Sequence, residues 1–360
     1  MPGIITHKKI FMDSMKLLSG RKNRSYLLQS IAALFSNPVQ RQAALFGVLG
    51  PNIFDYIPVA FGKKTYGHPI SFAIHNGETP ELLRVMIEQI CSHEDKNNEW
   101  SAMQRAYLYG YISHLIADEI IHPYVLYMSG YPDTAKDTSY FREQNLLFQY
   151  NIDNYFLYLA EDRDELEFDI REMIPFVSKK TKRLNAPIKE FILHSLHKTY
   201  PSFYNKIIWK DLKEDSPNFT STFGWLDVIP FLIIKSQNLK MNYNERVRKI
   251  MGEINHRRFF YSDFLIQYQW PKKTNTHYLN LHREGWSNPA GSSALRYESI
   301  PHLCRAACEK TVSLWEEIEK SLYSDGTEAV EKLVNINSYT GNSQEDYFSM
   351  KRKNPVKLRP

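Results

Sequence analysis

The chain has 360 residues, 43% of them apolar and 14% aromatic, enough to bury a large core and too many for a disordered polypeptide. Its formal charge of +5 sums 45 Lys and Arg against 40 Asp and Glu, a bias too weak to favour a nucleic-acid partner. Three cysteines without framework spacing argue against a disulfide scaffold and fit a reducing, cytoplasmic setting.

The start, Met1 to Lys9, has no apolar segment of the kind that makes a secretory leader. Apolar residues then recur at helical spacing, and helices are expected over Ile10 to Leu18 and Arg24 to Leu34. The most apolar stretch, Ala43 to Phe61, is interrupted by Pro51, Asn52, Asp55 and Pro58, which makes it a poor membrane span. Further helices are expected over Glu81 to Cys91, Trp100 to Ile121, Phe141 to Leu159, Pro187 to Lys198, Met241 to Phe264 and Pro301 to Tyr323. Turn signals at Gly50-Pro51-Asn52, Asn76-Gly77, Gly130-Tyr131-Pro132 and Asp215-Ser216-Pro217 divide them, and Trp286 to Ser293 reads as a loop. Strand alternation is scarce. The expected fold is all-α and multi-helical, with one main domain over residues 1–322.

Beyond Asp325 the composition turns polar. The end carries Lys351, Arg352, Lys353, Lys357 and Arg359 with no acid. Residues 323–360 are therefore expected to form a disordered or loosely packed basic tail. Weak contact of this tail with an anionic membrane is the sharper alternative.

The most informative run is GYISHLIADEIIHPYV, Gly110 to Val125. His114, Asp118 and His122 are spaced four apart; each step turns a helix by about 400°, so the three share one face. Their neighbours are apolar, so the helix must be buried. Buried imidazoles and carboxylates need partners, and a metal ion satisfies both. A His–Asp hydrogen bond within a helical core is the competing reading. Pro123 is expected to end the helix just past His122.

This run resembles the signature helix of the zinc-dependent phospholipase C family. Other pieces follow in the family's order. THKKIF resembles its N-terminal segment and supplies His7. LFGVLGPNIFDYIP is similar to its glycine-proline-aspartate loop, and GHPISFAIHNGE to a histidine segment that supplies His75. NLLFQYNIDNYFL resembles its H-x-x-x-E-x-x-x-D helix, while WSNPAGSS and SIPHLCRAA are similar to a Trp-Pro loop and the helix after it. The resemblance implies up to three zinc ions in a cleft between helices, where they would make hydroxide for attack on a phosphodiester. It also implies that His75, His114 and Asp118 share one ion, that Asp118 faces a second bound by His7, and that His122 belongs to a third.

The departures bear on activity. Asn52 stands where the family has Asp, and Asn145 and Gln149 stand where it has His and Glu; Asp153 fixes the register. Neutral amides are weak zinc ligands and supply no compensating charge. Fewer than three ions are expected. Asp55 is a candidate to replace the lost carboxylate as a catalytic group beside Asp118, and His68 a candidate partner of His75; both also read as ordinary loop residues.

The expected function is therefore a zinc-dependent, phospholipase C-like hydrolase of a phospholipid or related phosphate ester, with a degenerate metal site. The alternatives are a non-catalytic scaffold on the same fold and, behind it, a nuclease-like phosphodiesterase. His194 with His197, and His277 with His282, read as structural, and Lys179, Lys180, Lys182 and Arg183 as a solvated loop. Cys304 and Cys308 read as core thiols rather than a metal or redox pair. The sequence contains no phosphate-cradling glycine loop, GxSxG elbow or paired CxxC.

Overall fold

The computed structural model describes residues 3–20, 25–57, 68–132, 138–159, 168–176, 183–210, 219, 222–240, 246, 276–291, 293–323, 337–342 and 344–356. Helices dominate. In chain order they are α1 (Ile4–Gly20), α2 (Tyr26–Ser36), α3 (Pro38–Gly47), α4 (His68–His75), α5 (Thr79–Cys91) and α6 (Glu99–Ser129). They continue with α7 (Thr138–Leu159), α8 (Ala186–Thr199), α9 (Pro201–Ile207), α10 (Ile229–Lys240) and α11 (Ile300–Leu322). Two antiparallel ribbons and a few short 3-10 turns complete the described elements, the ribbons being β1 (Ile208–Lys210) with β2 (Phe223–Gly224), and β3 (Trp286–Ser287) with β4 (Leu295–Arg296). The fold is all-α, as the periodicity predicts. The expected helix over Met241 to Phe264 lies outside the described residues, except for Arg246.

α6 is the axis. It is packed around almost its whole circumference, so water is kept from nearly every residue between Ser101 and Ser129. α1, α3, α5, α7, α8 and α11 pack around it. α3 approaches closest because both surfaces are small: a Cβ added to Gly110 would overlap the Ala44 carbonyl. α11 has the opposite character. It buries Leu303, Ala307, Val312, Trp315 and Ile318 on one stripe and leaves Arg305, Glu309 and Lys320 in solvent.

One correction concerns α6. The helix does not stop at Pro123 but continues two turns to Ser129. Proline removes one backbone hydrogen bond at a cost of about 3 kcal/mol. Ile121, Tyr124 and Val125 are all fully or almost fully buried. At roughly 1.5–3 kcal/mol each, their burial outweighs that cost.

The polar C-terminal stretch contains, among the described residues, only a single 3-10 turn at Tyr347–Ser349. Its chain runs along the lower end of α6. Asn354 and Val356 donate backbone N–H groups to the Tyr127 and Met128 carbonyls, at 2.8 Å each, using acceptors that a helix end leaves open. Among the described residues no helix is long and apolar enough to cross a membrane.

Candidate metal centre

α6 carries His114, Asp118 and His122 on one buried face, and two other segments bring histidines to it. His7 Nε2 lies 3.3 Å from Asp118 Oδ1. His75 Nε2 and His114 Nε2 each lie 3.1 Å from Asp118 Oδ2. The His7 ring stacks on the His114 ring with centroids 4.1 Å apart. Asp118 and His75 have no exposed surface, His114 has 1% and His7 2%.

Each histidine is held from behind. His114 Nδ1 lies 2.8 Å from the Val48 carbonyl, in the turn between α3 and Gly50. Gly50 adopts a φ of +57°, and a Cβ there would run into the His114 ring, so only glycine fits. His75, the last residue of α4, places Nδ1 2.6 Å from the Ser71 carbonyl one turn back. Ser71 Oγ in turn donates to Asp55 Oδ2 at 3.3 Å. His7 sits in the first turn of α1, where Asp153 accepts hydrogen bonds from Ile5 N, Thr6 N and Thr6 Oγ1. Asp153 thus caps α1 from α7 and fixes the position of His7.

These contacts determine the protons. A carbonyl only accepts, so Nδ1 of His75 and of His114 must donate, and a neutral ring then presents the lone pair of Nε2 inward. The two Nε2 atoms face each other at 3.3 Å beside a carboxylate. Burial pushes His7 down to about 4 and, with His75 beside it, His122 well below the usual imidazole range. Burial alone would raise the Asp118 carboxyl, but positive charge on the His114 and His7 rings, when they are protonated, holds it well below the usual carboxylate range.

The donors suit a cation. Both Asp118 oxygens and both His7 nitrogens are buried without a hydrogen-bond partner, since their short contacts lack hydrogen-bond geometry. Leaving such groups unsatisfied costs roughly 1–3 kcal/mol each. His7, His114 and Asp118 offer ligand atoms all within 4.8 Å of one another. Ligands about 2.0–2.1 Å from a tetrahedral zinc lie about 3.3 Å apart, close to the 3.1–3.3 Å separations here. Imidazole and carboxylate donors are the ordinary zinc set.

The remaining sequence candidates have the following partners. His122 is one turn past Asp118; its Nδ1 lies 3.1 Å from the Ser338 carbonyl and its ring packs on Tyr339 at 4.8 Å. Asn145 and Gln149 bond to each other, the Gln149 amide donating to Asn145 Oδ1, and Asn145 Nδ2 donates to Ser129 Oγ at 3.3 Å. Asn52 has a buried Oδ1 with no hydrogen-bond partner. Asp55 accepts the Ser71 Oγ hydrogen bond, one helical turn before His75 in α4. His68 begins α4, but its side chain lies outside the described residues.

His194 packs edge-on and His197 at a tilt against Phe219, and neither belongs to the histidine–carboxylate group found among the described residues. Cys304 and Cys308 are buried, burial pushes the Cys308 thiol up to about 11, and both are core thiols. Of the lysine run, only Arg183 is described, stacked over Phe223. Sequence reasoning missed Ser338 and Tyr339, which touch His75 and His122 from what reads as tail. The only local signal is the turn-forming composition of Asn337 to Asn342, anchored by Asn337 Oδ1 accepting from Tyr339 N and Thr340 N.

A family model described as zinc dependent phospholipase C matches residues 6–210, more than half of the chain, and that span includes His7, His75, His114, Asp118 and His122. No curated protein and no solved structure matches the chain. With the histidine and aspartate cluster and the match over the same span, the chain belongs to the zinc-dependent phospholipase C family.

Proposed function

We propose that the protein is a zinc-dependent, phospholipase C-like hydrolase of phosphate diesters, of a phospholipid or a related ester, working with fewer than three ions. The observation that carries this reading is the convergence of Nε2 of His7, His75 and His114 on the buried Asp118 carboxylate. His75, His114 and Asp118, with His7 on the other carboxylate oxygen, are the residues that would hold zinc. Zinc bound there would supply Lewis-acid polarisation of a phosphoryl oxygen and a water of lowered pKa. The chain's own part is to keep Asp118 ionised, to keep the imidazoles in the lone-pair-inward tautomer, and to exclude bulk water so that these charges act in a low dielectric.

Asn145 and Gln149 support the reduced ion count. They bond to one another, and neither carries the negative charge that a third ion would need. This same pairing favours the second reading, a non-catalytic scaffold that retains one structural ion. The three free cysteines support a cytoplasmic setting. Contact of the basic C-terminus with anionic membrane remains a proposal. Arg352 and Lys353 are already engaged with the Gly291 and Tyr131 carbonyls, which leaves such contact weak.

The deciding experiment measures zinc content and hydrolysis of a chromogenic phosphodiester for the wild type beside Asp118→Ala. One or two zincs and a rate abolished by the substitution support the hydrolase. Zinc without any hydrolysis supports the scaffold, and neither zinc nor hydrolysis overturns both readings.

A further inference from the structure

His122 is held by a piece of chain far from the matched span. Its Nδ1 lies 3.1 Å from the Ser338 carbonyl, and the Ser338 amide donates to the His75 carbonyl at 2.8 Å. One residue of the C-terminal segment therefore touches the backbone of one site histidine and the ring of another. Tyr339 packs its ring at 4.8 Å from His122 and 5.8 Å from His75. Ser338 and Thr340 have no exposed surface.

The segment is well seated. Asn337 donates to Asn76 Oδ1, the residue after His75, and Asn76 Oδ1 also accepts from Tyr347 N at 2.7 Å. The Trp-Pro loop holds the other side, where Asn288 Nδ2 donates to the Thr340 carbonyl at 2.7 Å. Gly341 lies against the Glu119 carbonyl and the Pro123 ring. Pro123 has no N–H, so the helix leaves that carbonyl unused, and the segment packs where α6 lacks a rung.

We infer that Asn337–Gly341 is a fourth ligand-positioning segment of the centre: the Ser338 carbonyl sets the tautomer and orientation of His122, as Ser71 does for His75 and Val48 for His114. The inference rests on the proposed metal-binding role of these histidines for its consequence, but not for its geometry. With Nδ1–H committed to Ser338, His122 presents Nε2 as its lone-pair atom. Ser338 acts through its backbone, so its identity matters less than its position. Tyr339 packs its ring against both His122 and His75.

The test uses the full chain and two variants that leave every histidine in place. Ser338→Pro removes the N–H donated to His75, and Asn337→Ala removes the acceptor that folds the turn. Histidine ring tautomers are read from long-range proton–nitrogen spectra of metal-free protein, with His122 assigned by the loss of its signals in His122→Gln. The expected result is Nδ1–H for His122, His75 and His114 in the wild type. In both variants His122 alone loses the Nδ1–H tautomer, and unchanged His75 and His114 signals show that the fold survives. Zinc bound through His122 should weaken ten- to a hundredfold, the usual effect of losing a ligand's outer partner. His122 already in the Nε2–H form in the wild type, or unmoved in both variants, overturns the inference. A tautomer that responds in a protein that binds no zinc leaves the positioning intact and sinks the metal reading instead.

Discussion

His75 and His114 point Nε2 at each other across 3.3 Å, each with Nδ1 against a backbone carbonyl. Two lone pairs at that distance repel, and the Asp118 carboxylate beside them adds negative potential. The arrangement is stable when a positive centre sits among them.

Zinc should therefore bind the wild type tightly and depend on Asp118. Asp118→Ala removes the one anion of the cluster and a donor 3.1 Å from two of the imidazoles. Calorimetric titration of metal-free protein should show zinc affinity falling by at least tenfold, about 1.4 kcal/mol. Equal affinities for the two proteins would show that the ion, if any, sits elsewhere.

Acid should destabilise the metal-free protein in a defined window. His7 is held near 4 in the fold and titrates near 6.5 when unfolded, and His122 is shifted in the same direction. Between those values the unfolded chain binds the proton and the folded chain does not. Stability is thus fully present above about 6.5 and declines by up to about 1.4 kcal/mol per pH unit per group as pH falls toward 4. Urea midpoints at pH 7 and pH 5 should differ clearly for metal-free protein. A flat profile would mean that these rings are solvated.

Asp153→Ala should damage the site at a distance. The carboxylate accepts from Ile5 N, Thr6 N and Thr6 Oγ1 and is fully buried, so its removal strands those donors. A loss of roughly 2 kcal/mol or more in unfolding free energy is expected, above that of an exposed helix cap. Zinc affinity should fall as well, because α1 carries His7. Unfolding data that match wild type would remove Asp153 as the anchor.

Restoring the amide pair to ligands should add metal. In Asn145→His with Gln149→Glu the two side chains keep their four-residue spacing but gain an imidazole and a charge. Zinc content by mass spectrometry should rise by about one ion per chain, since the missing ligand types return. An unchanged count would mean that the α7 face is not directed at His122.

Gly50→Ala should spare the fold more than the metal. The new Cβ meets the His114 ring, and the φ of +57° adds strain of order 1 kcal/mol. The His114 ring must then turn, so zinc affinity should drop while the helical circular dichroism stays near that of wild type. Undiminished zinc binding would show that the ring has room to adjust.

Much of this was legible in the residues alone. Continuous apolar spacing specified α6, and the four-residue interval of His114, Asp118 and His122 put them on one face, because helical phase is a local property. The substituted positions Asn52, Asn145 and Gln149 were legible as identities. Only the tertiary structure decided what the amides do, which is to bond to each other and to Ser129. It also decided that Asp55 accepts from Ser71, and that α6 continues through Pro123. These outcomes depend on which surfaces meet, and burial energies summed over many residues outweigh single local signals. The contact between Ser338 and His122 spans 216 residues. No periodicity carries information over that distance; a polar, turn-rich segment becomes part of the site because the end of α6 leaves carbonyls and a proline gap for it to fill.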